Sequence, residues 1–251
     1  DSPSEPTSKH DRKMILVAGC VQPTYKPATN ASLSRVLHRL QIEAITVREE
    51  RCCGAASFHL DALDEAKDLM RKNIDAWWPY IEAGAEAIIS TASGCGVMIK
   101  DYGHLLADDM VYSAKAKRVS ELAKDAVEIM EQEDLSEIET SHPRRIAFQS
   151  PCTLQHGQKL NGRVEALLQK AGYRLTPVAD SHLCCGSAGT YSVLQKELSQ
   201  QLRQRKITHL EEGSPKIIAT ANIGCHLHLE EATKIPVKHW IELLDDPALP
   251  L

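Results

Sequence analysis

The cysteines are the residues of this chain best suited to do chemistry, because they fall into two sets with nearly the same spacing. Each set has a Cys-Cys-Gly sequence, a lone cysteine 32 residues before it and another about forty residues after it. The first set is Cys20, Cys52, Cys53 and Cys95, and the second is Cys152, Cys184, Cys185 and Cys225. The two sets contain all 8 cysteines. Four thiolates from three segments are a ligand set for either a tetrahedral zinc ion or an iron–sulfur cluster.

The spacing favours an iron–sulfur cluster, with zinc and metal-free redox thiols left open as alternatives. Structural zinc sites generally use Cys-x-x-Cys pairs, and neither pair here has that spacing. Adjacent cysteines in an irregular loop can reach different iron atoms of one cluster. Disulfides are the least favoured interpretation, because disulfide-dense proteins are usually short and secreted. Glycines beside the cysteines would let backbone N–H groups approach sulfur; they are Gly54, Gly94, Gly186 and Gly224.

Three histidines flank the cysteines and are candidates for supporting roles. They are His156, His182 and His226. Hydrogen bonding around a metal centre is a reasonable role for each of them. A packed or solvated imidazole is the commoner outcome for a histidine, so these three residues are secondary candidates.

The composition is that of an ordinary globular protein and argues against several classes of function. The chain has 251 residues, 43% hydrophobic and 25% charged, with a net charge of −5. Aromatic residues make up only 4% and the basic residues are scattered, which argues against a nucleic-acid surface. We predict neither a membrane-spanning helix nor a signal peptide, because no suitable apolar run is present.

Alternating apolar runs and amphipathic segments predict an α/β fold that occurs twice. In the first half we expect strands over 14–18, 42–47 and 87–91, a helix capped by Asn30, a long helix from Asp61 that Pro79 kinks or ends, and a helix over 112–132. In the second half we expect strands over 145–149, 174–178 and 217–220, with helices over 162–171 and 193–212. The cysteines recur at offsets of 132 or 130 residues, which indicates an internal duplication.

The predicted organisation is therefore two repeats, each a small parallel sheet flanked by helices. We expect a polar tail over 1–13, a first repeat over 14–132, a linker over 133–143 and a second repeat over 144–251. The carboxyl ends of parallel strands meet at one edge of a sheet, where functional groups collect. Each set of four cysteines should therefore meet at that edge, with the Cys-Cys pair at the start of a helix whose dipole stabilises negative charge.

The doubled motif resembles the cysteine-rich "CCG" domain pair of the heterodisulfide reductase and glycolate oxidase group. Longer strings resemble, more specifically, the iron–sulfur subunit of bacterial glycolate oxidase. These strings are 19–24 (GCVQPT), 73–79 (NIDAWWP), 91–96 (TASGCG), 151–156 (PCTLQH), 181–191 (SHLCCGSAGTY) and 220–225 (TANIGC).

This resemblance implies an electron carrier that is not itself the catalyst. A 2-hydroxy acid such as glycolate would be oxidised at FAD or FMN on partner subunits, and electrons would pass through iron–sulfur centres towards a quinone. The implied location is the cytoplasm, at the inner membrane. The family subunit also has a ferredoxin-like domain, whose cysteine runs are absent from this sequence.

The resemblance also implies a [4Fe–4S] cluster, with all eight cysteines as candidate ligands. The heterodisulfide reductase relatives have a fifth cysteine per motif, where this chain has Met98 and His228. His228 is a possible substitute ligand and Met98 a poor one, so the second repeat is favoured if only one binds a cluster. A zinc-holding assembly subunit and a thiol–disulfide redox protein are the alternative functions.

Overall fold

The computed structural model describes residues 10–138 and 144–245, which include every cysteine. The chain divides between Gln132 and Glu133 into two compact units. Most of the predicted tail (1–9) and the later part of the predicted linker (139–143) lie outside the described residues. Within the described part, the first strand already begins at Arg12, and a 3₁₀ turn covers Ser136–Ile138.

The first unit alternates short strands with helices. Its strands are β1 (Arg12–Leu16), β2 (Ile42–Ile45), β3 (Ile88–Ser90) and β4 (Ala123–Asp125). Its helices are α1 (Gln22–Tyr25), α2 (Pro27–Arg39), α3 (Ala55–His59), α4 (Leu63–Glu82), α5 (Ser93–Lys100), α6 (Tyr102–Leu105), α7 (Ser113–Leu122) and α8 (Ala126–Met130).

The first sheet is entirely parallel, with strand order β2-β1-β3-β4. Ile15 of β1 pairs with Ile45 on one side and Ile88 on the other. The chain therefore moves outward from β1 to β2 and then crosses back to the other side of β1. This reversal between β1 and β3 opens a crevice beyond their carboxyl ends, which is where ligands bind in open α/β sheets.

The long helix α4 covers this sheet through one apolar face. Its buried residues lie on one side of the helix, because they are Ala66 and the residues 4, 7, 8 and 11 positions later: Met70, Asn73, Ile74 and Trp77. Four are apolar and one, Asn73, is polar. Trp77 stacks on Tyr102 with ring centroids 6.4 Å apart. Pro79 does not stop the helix, which continues to Glu82.

The second unit repeats the arrangement with fewer helices. Its strands are β5 (Arg145–Gln149), β6 (Arg174–Leu175), β7 (Ile217–Thr220) and β8 (Val237–His239). Its helices are a π-helical turn (Thr153–Gly157), α9 (Arg163–Lys170), α10 (Tyr191–Leu194), α11 (Lys196–Glu211), α12 (Ile223–Glu230) and α13 (Trp240–Asp245). The sheet is again parallel, with order β6-β5-β7-β8. The predicted α/β fold of two parallel-sheet repeats is confirmed.

Several predicted element boundaries were wrong. The helix expected over 112–132 is broken by β4, a buried strand of three residues that is too short to show an alternating pattern. The sequence does mark the end of β4, because Asp125 and Glu128 form a capping box at the start of α8. The helix expected over 193–212 is interrupted at Gln195, between α10 and α11. The fourth strand of each sheet was missed.

Two local predictions around the cysteines also need correction. Asn30 lies inside α2 and does not cap it. The first Cys-Cys pair is followed at once by α3, as expected, but after Cys185 the next helix begins only at Tyr191. The left-handed backbone of Gly186 and Gly189 and the strained Ala188 (φ 36°) keep the segment after the second pair non-helical.

Candidate metal centre

The first unit brings its four cysteines together at the crevice beside β1 and β3. Cys20 follows β1, Cys95 lies in the first turn of α5 after β3, and the Cys-Cys pair comes from the loop after β2. The Sγ atoms of Cys20 and Cys52 are 3.5 Å apart. Cys53 hydrogen-bonds to both Cys52 and Cys95. The four thiol groups therefore form one connected group.

The second unit repeats this connection in the same order. Cys152 lies beyond β5, and Cys225 lies in the first turn of α12 beyond β7. The Sγ atoms of Cys185 and Cys225 are 3.2 Å apart. Cys184 hydrogen-bonds to Cys152 and to Cys185. Corresponding cysteines thus have corresponding neighbours, as expected of a duplication.

Negative charge concentrates on the first cysteine of each pair. The pKa of Cys52 lies far below its usual value, because Cys20 and Cys53 donate hydrogen bonds to its sulfur. The pKa of Cys184 is lowered in the same way by Cys152 and Cys185. The thiols that donate these hydrogen bonds have raised pKa values, because each is held in its protonated form beside a thiolate. They are Cys20, Cys53, Cys152 and Cys185. A thiolate is the form that binds metal.

The donor set fits an iron–sulfur cluster better than one zinc ion. All eight cysteines are free thiols, and none is bridged to another. Over 10–138 and 144–245, no three His, Cys, Asp or Glu side chains are grouped so that they could hold one metal ion. In each unit, hydrogen bonds connect the four sulfurs in sequence order. An all-cysteine set of four is the usual ligand set of a [2Fe–2S] or [4Fe–4S] cluster.

The glycine after each Cys-Cys pair is required by the backbone. Gly54 and Gly186 have φ values of 88° and 94°, a region that other residues rarely adopt. A Cβ atom would lie 3.1 Å from the Ala66 carbonyl oxygen at Gly54, and 2.3 Å from that of Ser199 at Gly186. The close approach brings backbone donors to sulfur, since the Gly186 N–H donates to Cys184 Sγ at 3.2 Å.

Polar side chains that the sequence did not single out hold the first Cys-Cys pair in place. Asn73 accepts a hydrogen bond from the Arg51 N–H (2.7 Å) and donates to the Cys52 carbonyl (3.0 Å). The Tyr102 hydroxyl donates to the Cys53 carbonyl at 2.8 Å. The only signal available was Asn73 itself, a polar residue within an apolar helical stripe.

A carboxylate and an amide fix the segment that carries Cys20. The two oxygens of Glu50 accept hydrogen bonds from the Gly19 N–H (3.0 Å) and from Trp77 Nε1 (3.2 Å). Burial raises the pKa of Glu50. Asn30 donates to the carbonyls of Val17 and Ala18 and accepts from Thr91. Asn30 thereby ties the segment after β1 to the segment after β3.

The second unit positions its pair with a buried cation instead. Lys206 of α11 is 2% exposed, and its Nζ donates to the carbonyl oxygens of Asp180 (2.9 Å) and Ser181 (3.3 Å). Burial lowers the pKa of Lys206, and negative charge on the nearby cysteine sulfurs partly opposes this shift. Ser199 donates to the Gly186 carbonyl at 2.8 Å.

The histidines lie around the second group of thiols in different environments. His226 is buried, and His156 and His182 are exposed, with His156 Nε2 3.2 Å from the His182 carbonyl oxygen. His228 Nε2 lies 3.3 Å from Ser199 Oγ. Burial lowers the pKa of His228. At the other fifth-cysteine position, Met98 is buried in the apolar core.

Comparison with known families agrees with the doubled geometry. A family model described as "Cysteine-rich domain" (CCG) matches this chain twice, over residues 15–100 and 146–230. The chain therefore belongs to the CCG cysteine-rich domain family and contains two copies of the domain. Across the described residues, no helix has the length and apolarity needed to cross a membrane.

Individual relatives point to one group of proteins. The chain is 51% identical over 240 residues to the "Glycolate oxidase iron-sulfur subunit" of Escherichia coli, covering 96% of this chain and 59% of that protein. It is 28% identical to the "Probable glycolate oxidase iron-sulfur subunit" of Bacillus subtilis, covering 87% of this chain and 49% of that protein. The chain thus spans about half the length of these two relatives. It is 27% identical to "Lactate utilization protein A" of Geobacillus thermodenitrificans, covering 93% and 98%. The predicted resemblance is confirmed.

Proposed function

We propose that this chain is an iron–sulfur electron-transfer component of a complex that oxidises a 2-hydroxy acid such as glycolate or lactate. The observation that carries this proposal is the pair of connected thiol groups, one at the strand-order reversal of each sheet. The names of the relatives supply the chemical context. An iron–sulfur cluster, when bound, accepts and releases single electrons.

We assign the ligand role to the eight cysteines, four for each cluster. In each unit the sulfur of the first cysteine of the pair accepts a hydrogen bond, Cys52 from Cys20 and Cys184 from the Gly186 N–H. Backbone N–H groups such as that of Gly186 would hydrogen-bond to cluster or ligand sulfur. We favour [4Fe–4S] clusters and, if only one unit binds a cluster, the second unit, where Lys206 is buried beside the Cys-Cys pair.

The substrate would be oxidised elsewhere in the complex. We propose that the hydride of the 2-hydroxy acid passes to FAD or FMN on a partner subunit, and that the reduced flavin releases its electrons one at a time. A ferredoxin-like domain with further clusters and a quinone at the inner membrane are the proposed continuation of the path. The thiol groups of this chain would serve as one relay on that path.

Metal analysis of the anaerobically purified and reconstituted chain tests this function directly. We expect a brown protein with about four iron and four acid-labile sulfide per loaded unit, and an electron paramagnetic resonance (EPR) signal after reduction. Cys52→Ser and Cys184→Ser should each abolish the signal of their own unit. His182→Ala is the matched control, because this exposed histidine flanks the pair and should leave the iron content unchanged.

Other results would favour the remaining interpretations. Stoichiometric zinc without iron would replace electron transfer with a structural role. A metal-free protein that turns over small disulfides would indicate thiol–disulfide chemistry, consistent with the eight free thiols. A chain that binds no metal and turns over no disulfide would refute the proposed function.

A further inference from the structure

We propose that the buried ammonium group of Lys206 sets the reduction potential of the second centre above that of the first, where Asn73 is its neutral counterpart. This inference rests on the proposed function, because it concerns the clusters that the two units would hold. It assigns different electrical environments to two sites that the cysteine spacing makes look identical.

The two residues occupy corresponding positions of the two repeats. The helix behind each Cys-Cys-Gly sequence approaches the glycine through one carbonyl group, that of Ala66 in α4 and that of Ser199 in α11. Asn73 and Lys206 each lie seven residues after that contact. The buried positions of α11 follow Ser199 by 7, 8 and 11 residues, matching positions of the buried face of α4.

Asn73 and Lys206 also bind corresponding segments of the two repeats. Asn73 bonds to the backbone of Arg51 and Cys52, at the start of the first Cys-Cys pair. Lys206 bonds to the backbone of Asp180 and Ser181, in the segment leading to the second pair. One helix position thus anchors the loop in both repeats, with a neutral amide in the first and a cation in the second.

The remaining charges near the thiols increase this difference. In the first unit the buried carboxyl group of Glu50 bonds to Gly19, the neighbour of Cys20. In the second unit, Lys206 and Cys184 line the same small cavity. The nearby carboxylate of Asp180 is already paired with Arg205 at the surface. Arg51, which precedes the first pair, is exposed, and its guanidinium group donates to the Glu50 carbonyl. The second unit therefore has a buried lysine at the helix position where the first has the neutral amide of Asn73.

The charge acts on the reduction step through simple electrostatics. One electron from an outside reductant, reduced flavin in the complex or dithionite in a titration, makes the centre more negative by one charge. No bond to Lys206 forms or breaks. A buried cation stabilises the reduced form more than the oxidised form, and the effect is strong because the interior screens charge poorly. Net charge is one of the properties that set iron–sulfur potentials, together with cluster type, hydrogen bonds to the sulfurs and solvent exposure.

An EPR-monitored redox titration of the reconstituted chain tests the inference. A Cys52→Ser background removes the first centre, so that the midpoint potential of the second is measured alone. Lys206→Gln keeps a hydrogen-bond donor but removes the charge, and Lys206→Arg keeps both. We expect the glutamine variant to shift the midpoint to more negative values with its iron content retained, and the arginine variant to stay close to the parent.

A reciprocal variant protects the test against a failure of Lys206→Gln to assemble its cluster. Asn73→Lys in a Cys184→Ser background should move the midpoint of the first centre to more positive values. An unchanged midpoint in both charge variants, or equal shifts in Lys206→Gln and Lys206→Arg, would overturn the inference while leaving the proposed function intact. A parent chain that binds no iron would instead reject the proposed function itself.

Discussion

Replacing Gly186 with alanine should destabilise the second unit through two separate costs. The backbone at Gly186 has φ 94°, and the added Cβ would meet the Ser199 carbonyl oxygen at 2.3 Å. A left-handed backbone costs an L-residue roughly 1–2 kcal/mol. Forcing one more methyl group into a packed site costs roughly 1–3 kcal/mol. The expected total is roughly 2–5 kcal/mol of unfolding free energy, a large part of the stability of a unit of this size.

Gly162→Ala is the control that separates these two costs. Gly162 lies in the same unit with φ 78°, but a Cβ there would meet nothing within 4 Å. It should therefore cost only the backbone term, roughly 1–2 kcal/mol. The difference between the two variants isolates the contact with Ser199.

Hydrogen–deuterium exchange followed by mass spectrometry measures the effect in the second unit alone. Amides of β5 and β7 should exchange about 5 to 150 times faster in Gly186→Ala than in Gly162→Ala, since 1.4 kcal/mol corresponds to about a tenfold change. Peptides from β1 and β3 serve as the internal reference. Equal exchange rates in the two variants would refute the reasoning that α11 is in contact with the backbone at Gly186.

Three further variants test other parts of the two sites. Tyr102→Phe removes the hydroxyl that donates to the Cys53 carbonyl, so urea denaturation should show a loss of roughly 1–3 kcal/mol; no loss would mean that this bond is not made. Burial raises the pKa of Glu50, so the folded first unit binds this proton more tightly than the unfolded chain does. The stability of this unit should therefore fall as the pH rises from about 4.3, the pKa of an unperturbed glutamate, through the raised pKa of the folded state. Glu50→Gln should flatten that part of the urea-midpoint profile, and an unchanged profile would exclude Glu50 as its source. His228→Ala should keep the iron content of the reconstituted protein, because the imidazole lies against Ser199; loss of iron from the second unit would instead identify His228 as a ligand.

The elements that sequence analysis predicted best were those with a strong local pattern. The buried strands at Met14, Ile88 and Ile217 stand out as short apolar runs bounded by polar residues. The elements it missed have no such pattern. β4 and β8 have three residues each and exist because they pair with β3 and β7, which is a long-range interaction.

The supporting side chains around the cysteines were largely invisible in the sequence. Asn30 was expected to cap a helix, and nothing in the sequence around Lys206, which follows Arg203 and Arg205, indicates that it is buried. Each is instead turned towards backbone carbonyl groups from a distant segment of the chain. A residue type gives its hydrogen-bonding capacity, but the partner depends on which segments the fold brings together.

By itself, the sequence determined that this protein is a duplicated α/β chain with two equivalent sets of four thiols, because residue type and spacing along the chain are sufficient to show a repeat. Only the tertiary structure decided which thiols in each set hydrogen-bond to one another and which side chains surround them. Those properties depend on distances of a few ångströms between atoms that lie 20 to 40 or more residues apart in the chain. The same spacing of cysteines is therefore compatible with a neutral amide beside one set of thiols and a buried lysine beside the other.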